Sequence, residues 1–199
     1  MTAIFDLDGT LVDSSNVLAN AINYVRSNFN LQPLPKDYII EQINNPNSNW
    51  SQSFYNLPQA TNVHEMLFKE YYAKNHDKEL VLFDGIDNML KNLKDNSIKL
   101  AVATNGYRDS TIRALNYLNI KDYFDLIVTY EDVGKPKPNP DMLFKITNEL
   151  NSKKSIFIGD SKRDLLASKA ANIEFILVDF VNNKSSVKEV EQSIKEYLV

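Results

Sequence analysis

The sequence predicts a doubly wound α/β protein with a small helical domain inserted near its start. Three observations predict it. Five short apolar runs alternate with stretches of helical periodicity. Most of these runs are continuous in Ile, Val and Phe, as strands buried on both faces require. Residues 15 to 82 break the alternation and carry helical spacing only.

Taken in order, the strands are expected at 3–6, 99–104, 125–130, 155–159 and 175–179. Between them, Ile86, Met89, Leu90 and Leu93 fall on one face of a helix over about 86–95. Ile112, Leu115 and Leu118 do the same over about 108–118. Further helices are expected over about 140–150, 162–171 and 185–198, the last with Val187, Val190, Ile194 and Tyr197 on one side. The core therefore reads as a Rossmann-like parallel sheet built from residues 1–14 and 83–199. In the insertion, helical spacing recurs at Val17, Ala21, Tyr24 and Val25 and again at Val63, Leu67, Tyr71 and Tyr72. Pro33, Pro35, Pro46 and Pro58 divide it into about four short helices. Two chain crossings connect it to the core, an arrangement suited to a hinged lid.

The 199 residues are 43% hydrophobic and 24% charged, near the average for soluble globular domains. A formal net charge of −4 with no basic stripe argues against a nucleic-acid partner. The absence of cysteine rules out disulfides and thiolate metal sites. No apolar run approaches the roughly 20 residues that span a bilayer, and the first strand follows Met1 at once, leaving no room for a secretory signal. The expectation is a soluble cytoplasmic protein, a monomer or weak homodimer, with no membrane partner.

The chemistry is concentrated at strand ends. Asp6 and Asp8 lie two apart where the first apolar run gives way to Gly9 and Thr10. Residues i and i+2 of an extended chain project from one face, so both carboxylates should reach one cleft. Two such neighbours repel unless a cation or a shared proton relieves them. The second strand ends in Thr104 and Asn105, where a hydroxyl and a backbone amide suit phosphate oxygens. After the third, the prolines of Gly134-Lys135-Pro136-Lys137-Pro138-Asn139-Pro140-Asp141 fix an extended loop that can hold a lysine over the site. The fourth ends Gly159-Asp160-Ser161-Lys162-Arg163-Asp164, an acid and a serine before a helix, which also reads as an ordinary helix cap. Acids, a hydroxyl and a lysine at one sheet edge are the ingredients of phosphoryl chemistry with Mg²⁺, a cation that favours oxygen ligands.

These four stations, in this order, resemble the haloacid dehalogenase superfamily, specifically its phosphatases with a helical cap after the first motif, of the phosphoglycolate phosphatase type. The resemblance implies Asp6 as nucleophile and Asp8 as general acid/base. It implies Thr104 and Asn105 as the phosphate clamp, Lys137 as the cation on the phosphoryl group, and a Mg²⁺ site drawn from Asp6, Asp8, Asp160 and Asp164, with Asp8 acting through its backbone carbonyl. Lys137 is preferred to Lys135 because Lys137 to Asp141 matches the family pattern in full. The implied substrate is a small phosphorylated metabolite. The acid at position 8 suits phosphoester hydrolysis and disfavours dehalogenation. A sugar-phosphate mutase of the β-phosphoglucomutase type is the alternative within the superfamily. A receiver-like signalling module is the rival from another class, and the order of its acids is the reverse of the order here.

Other residues are read as structural. His64 and His76 fit no zinc spacing and are expected at the surface or in packing. Trp50, Phe68, Tyr71 and Tyr72 are expected in the core of the insertion. Tyr107 and Arg108 either touch substrate or belong to the first turn of the following helix.

Overall fold

The computed structural model describes residues 1–198, apart from the side chains of Asp77 and Lys78. The chain divides into two compact units, Met1–Asp13 with Val81–Val199, and Ser14–Leu80.

The first unit is built on a parallel sheet of five strands. The strands are β1 (Thr2–Phe5), β4 (Lys99–Ala103), β5 (Leu126–Val128), β6 (Ser155–Gly159) and β7 (Glu174–Leu177). Their order across the sheet is β5-β4-β1-β6-β7, and every pairing is parallel. The most apolar runs take the centre: β1 and β6 are buried throughout, whereas β5 and β7 at the edges are partly open. The chain moves outward from β1 to β4 and β5, then returns to β6 on the other side. Ligand crevices in open α/β sheets form at such a reversal, outside the C-terminal strand ends. Asp6 and Asp160 follow β1 and β6, the two strands that meet there.

Helices cover both faces. On one side α5 (Ile86–Asp95) packs against β4 and α9 (Val187–Leu198) against β6. Here Met89, Leu90, Leu93 and Ile194 are fully buried. On the other side α7 (Asp141–Glu149) and α8 (Lys162–Ala171) bury Met142, Leu143, Ile146 and Ala167 against Ile4, Ala101, Ala103 and Phe157. The remaining core helix, α6 (Arg108–Tyr117), follows β4. Alternate residues of β1 therefore serve opposite layers, which explains a run without polar breaks. A two-residue antiparallel ladder, β2 (Val12–Asp13) with β3 (Val81–Leu82), ties together the two points where the core chain leaves and returns. The sequence gives no sign of it, because two residues are too few to show a period.

The second unit has four helices, α1 (Ser15–Asn28), α2 (Lys36–Asn44), α3 (Trp50–Tyr55) and α4 (Asn62–Glu79). Its core gathers Ala19, Ile22, Ile39 and Phe54, flanked by Leu34, Ile43, Tyr55 and Phe68. The buried Arg26 bonds the carbonyls of Gln32 and Phe54, stitching the end of α3 to the loop after α1. His64 and His76 are packing residues: His64 stacks on Phe29 at 4.1 Å between ring centroids, and His76 lies against Tyr72. Trp50 departs from its expected place, being 43% exposed with its indole N–H on the Gln42 carbonyl. The six-residue α3 turns Phe54 inward and packs Tyr55 against the same core, while Trp50 at its first position stays outside.

Candidate active site

The sheet brings the strand-end residues of the first unit to one edge. Asp6 leaves β1 directly, with its backbone N–H bonded to the carbonyl of Ile158 on β6. Its carboxylate is buried and lies 2.6 Å from the ammonium of Lys137. The same ammonium lies 2.6 Å from Oδ1 of Asp164. Lys137 is 5% exposed, and its ammonium lies over the ring of Phe157, 5.4 Å from the centroid. Such a buried cation is tolerable only because two carboxylates share it.

Asp160 completes the group: one carboxylate oxygen from each of Asp6, Asp160 and Asp164 lies within 4.8 Å of the others. Asp160 also packs against Gly9, whose φ is +81° and which has no room for a Cβ beside that carboxylate. The Asp8 carboxylate is not one of the three. It is half-buried, close enough to Asp6 to act on its charge, and its backbone forms a bridge with Val12.

The two readings of residues 159–164 hold together. Ser161 caps α8, its hydroxyl accepting from Asp164 N, while Oδ2 of Asp164 accepts from Ser161 N at 3.1 Å. That reciprocal box presents Oδ1 of Asp164 to Lys137. The capping serine thereby fixes a charged partner of the site.

Burial raises the pKa of Asp6 to about 7, with Lys137 opposing the rise and Asp164 and Asp8 adding to it. Burial also holds the carboxyl of Asp160 well above its ordinary value, reinforced by Asp6 and Asp164. At Lys137 burial works against the charge, but Asp164 and Asp6 outweigh it and the pKa is raised. Three acids and one lysine leave a surplus of negative charge in a confined space. A hard divalent cation fits this donor set, since it offsets the surplus with oxygen ligands alone.

From β4, the hydroxyl of Thr104 is buried and accepts from Gly106 N at 3.0 Å, which leaves its proton to donate. Asn105 turns its side-chain amide to the backbone of Lys137 rather than outward. Arg108 begins α6, and its guanidinium holds both oxygens of Asp132 at 2.7 and 2.9 Å. Lys135 is exposed at the rim of the loop that carries Lys137. One feature had no sequence signal beyond its residue type, the grip of Asn105 on Lys137, which rests on bonds whose direction depends on the folded chain.

Comparison with known proteins identifies the family. Residues 3–178 match the family model described as haloacid dehalogenase-like hydrolase. The pyrophosphatase PpaX of Halalkalibacterium halodurans is 30% identical, over 90% of this chain and 83% of its own length. A phosphoglycolate phosphatase of Yersinia pestis is 31% identical, over 84% of this chain and 75% of its own. Among solved structures, a predicted phosphatase from Clostridium acetobutylicum superposes with a TM-score of 0.82 at 26% identity, covering 98% of each chain. A predicted phosphoglycolate phosphatase from Haemophilus somnus 129pt gives 0.85 at 22% identity over 96% of each, a likeness of fold.

Proposed function

The chain belongs to the haloacid dehalogenase-like hydrolase family, and from that premise we propose that it is a Mg²⁺-dependent phosphatase hydrolysing a small phosphorylated metabolite through a phospho-Asp6 intermediate. The observation that carries this reading is the Asp6 carboxylate at the sheet edge, held by the buried Lys137 and clustered with Asp160 and Asp164.

In the first half-reaction an oxygen of Asp6 attacks phosphorus and the bond from phosphorus to the leaving oxygen breaks. Asp8 donates a proton to that oxygen, so the product departs neutral at the cleaved position. Asp8 then accepts a proton from water, whose oxygen attacks the aspartyl phosphate and frees Asp6 and inorganic phosphate. Lys137 offsets charge gathering on the equatorial phosphoryl oxygens. The Thr104 hydroxyl and the Asn105 backbone N–H bind those oxygens. A divalent cation bound by Asp6, Asp160 and the Asp8 carbonyl would supply further neutralisation of the reacting anions. Asp164, with Oδ1 on Lys137 and Oδ2 on Ser161, supports the set from behind. The unit Ser14–Leu80, close to the 15–82 expected from the sequence, is the cap domain of this enzyme, and Met1–Asp13 with Val81–Val199 its catalytic core.

Two substrates lead. Phosphoglycolate is the candidate that the family resemblance suggests, and a phosphoglycolate phosphatase relative supports it. Inorganic pyrophosphate is the second, supported by relatives named pyrophosphatase PpaX. Phosphate release is measured from both, and from a panel of sugar and nucleoside phosphates, with Mg²⁺ and with chelator. The expected result is release that needs the cation and vanishes in Asp6→Asn. Undiminished turnover in Asp6→Asn, or with chelator, would remove the mechanism.

A further inference from the structure

Resting on the phosphatase reading, we propose that the side chain of Asn105 is a positioning residue that sets Lys137 against Asp6 by gripping the lysine backbone. Its Nδ2 donates to the Lys137 carbonyl at 2.9 Å, and its Oδ1 accepts from Lys137 N at 3.0 Å. One planar amide thus satisfies both backbone polar groups of a residue 32 positions away. The pairing fixes which end of the amide is which, because only the oxygen can face an N–H and only the nitrogen a carbonyl.

The loop has little else to hold the lysine. Pro136 and Pro138 flank it and offer no N–H. Asn139 turns back to the Pro136 carbonyl through its backbone and side chain, without reaching Lys137. A lysine stem has four flexible carbons, so an ammonium at a set point needs a fixed Cα as well as partners at its tip. Asp6 and Asp164 supply the tip, at 2.6 Å each, and Asn105 the base. Asn105 is suited to this because it stands two residues beyond β4, a buried strand that pairs directly with β1, which delivers Asp6. The nucleophile and the anchor of its cation are therefore mounted on adjacent strands. Aspartate at position 105 could accept from Lys137 N but would oppose the carbonyl, and alanine could do neither.

The test is a double-mutant cycle on the full chain, with p-nitrophenyl phosphate and Mg²⁺, using Asn105→Ala, Lys137→Ala and both together. Asn105→Ala is expected to lower kcat about 10–100-fold with KM within about threefold, the scale of a displaced catalytic group. In the Lys137→Ala background the same change is expected to alter kcat by less than about twofold, since groups acting as a unit are not additive. An equal fall in both backgrounds would show the side chain acting on the phosphoryl group itself and overturn the proposal. So would an unchanged kcat in Asn105→Ala.

A second readout is independent of turnover. Amine acetylation followed by mass spectrometry reports access to Lys137, which is buried in the native chain. Labelling of Lys137 is expected to rise at least about fivefold in Asn105→Ala with the other lysines unchanged, as local opening exposes it. Labelling that stays at the native level overturns the tether. Asn105→Asp keeps one of the two bonds and gives the same comparisons where the alanine variant does not fold. Native protein that releases phosphate from nothing in the panel defeats the phosphatase reading and the catalytic role of Asn105 with it, while the labelling still decides whether the tether exists.

Discussion

Gly9 and the Asp160 carboxylate approach so closely that a Cβ at residue 9 would lie 2.6 Å from Cγ of Asp160. The glycine follows Asp8 and the acid follows β6, so the contact packs the loop after β1 against the end of β6. Its φ of +81° adds a second reason for glycine, since side chains rarely adopt that conformation.

Gly9→Ala is accordingly expected to lose activity through geometry rather than chemistry. The left-handed backbone alone costs about 1–2 kcal/mol, and displacement of Asp160 adds to it. The expected outcome is a Tm lowered by about 3–8 °C, at about 2–4 °C per kcal/mol for a chain of this size. Phosphate release should fall about 100-fold, the scale of an ångström-sized misplacement. A variant with native turnover would show that the strand-end spacing is not critical.

Lys137 is the charge that the site cannot lose cheaply. Lys137→Met keeps the volume and removes the cation, leaving Asp6 and Asp164 buried without it. Breaking a buried pair from one side costs about 3–5 kcal/mol, so Tm at pH 8 should fall by about 6–20 °C. The deficit should shrink at pH 5, below the raised pKa of Asp6, where that carboxyl is neutral and no longer needs the cation. Equal destabilisation at both pH values would contradict the charge argument. Thermal melts of both proteins at the two pH values check it.

The fold was legible because the central strands are buried on both faces. The runs around Ile4, Val102 and Ile158 contain no polar break, and helix periodicity at Ile86, Met89, Leu90 and Leu93 is equally plain. The meeting of Asp6, Lys137, Asp160 and Asp164 was legible as residue types at strand ends, because a parallel sheet sends all those ends to one edge. Asn105 shows where this stops. Its position after the strand was visible, but its side chain answers to a backbone 32 residues later, and no local pattern encodes that. Trp50 shows the same limit from the other side: a six-residue helix offers three large rings, and the core took Phe54 and Tyr55.

Arg108 tests the open reading of the residues after the clamp. Its guanidinium is committed to Asp132, which itself accepts from the N–H and hydroxyl of Thr129. An exposed pair of this kind contributes about 0–1 kcal/mol, so Arg108→Ala should shift Tm by no more than about 4 °C. With the side chain occupied in this way, KM should change less than about twofold, since a direct charged contact with substrate would cost about 1.5–3 kcal/mol. A tenfold rise in KM would instead place Arg108 on the substrate. Steady-state kinetics on whichever compound the panel identifies decides between them.

The raised pKa of Asp6 makes the metal-free protein sensitive to pH in a definite direction. Folding lifts this carboxyl from 3.8 to about 7, so between those values the folded chain holds the proton more tightly than the unfolded one. Its contribution to stability is complete below about pH 4 and is lost as pH rises through 7. Asp160, raised for the same reasons, acts in the same sense. A divalent cation competes with those protons and replaces them with a fixed charge that the carboxylates can face. Mg²⁺ is therefore expected to raise Tm more at pH 8 than at pH 5.5, and the difference should largely vanish in Asp6→Asn with Asp160→Asn. Melting curves with and without Mg²⁺ at the two pH values give the comparison, and a Mg²⁺ effect larger at pH 5.5 would mean that the cation binds somewhere other than this carboxylate cluster.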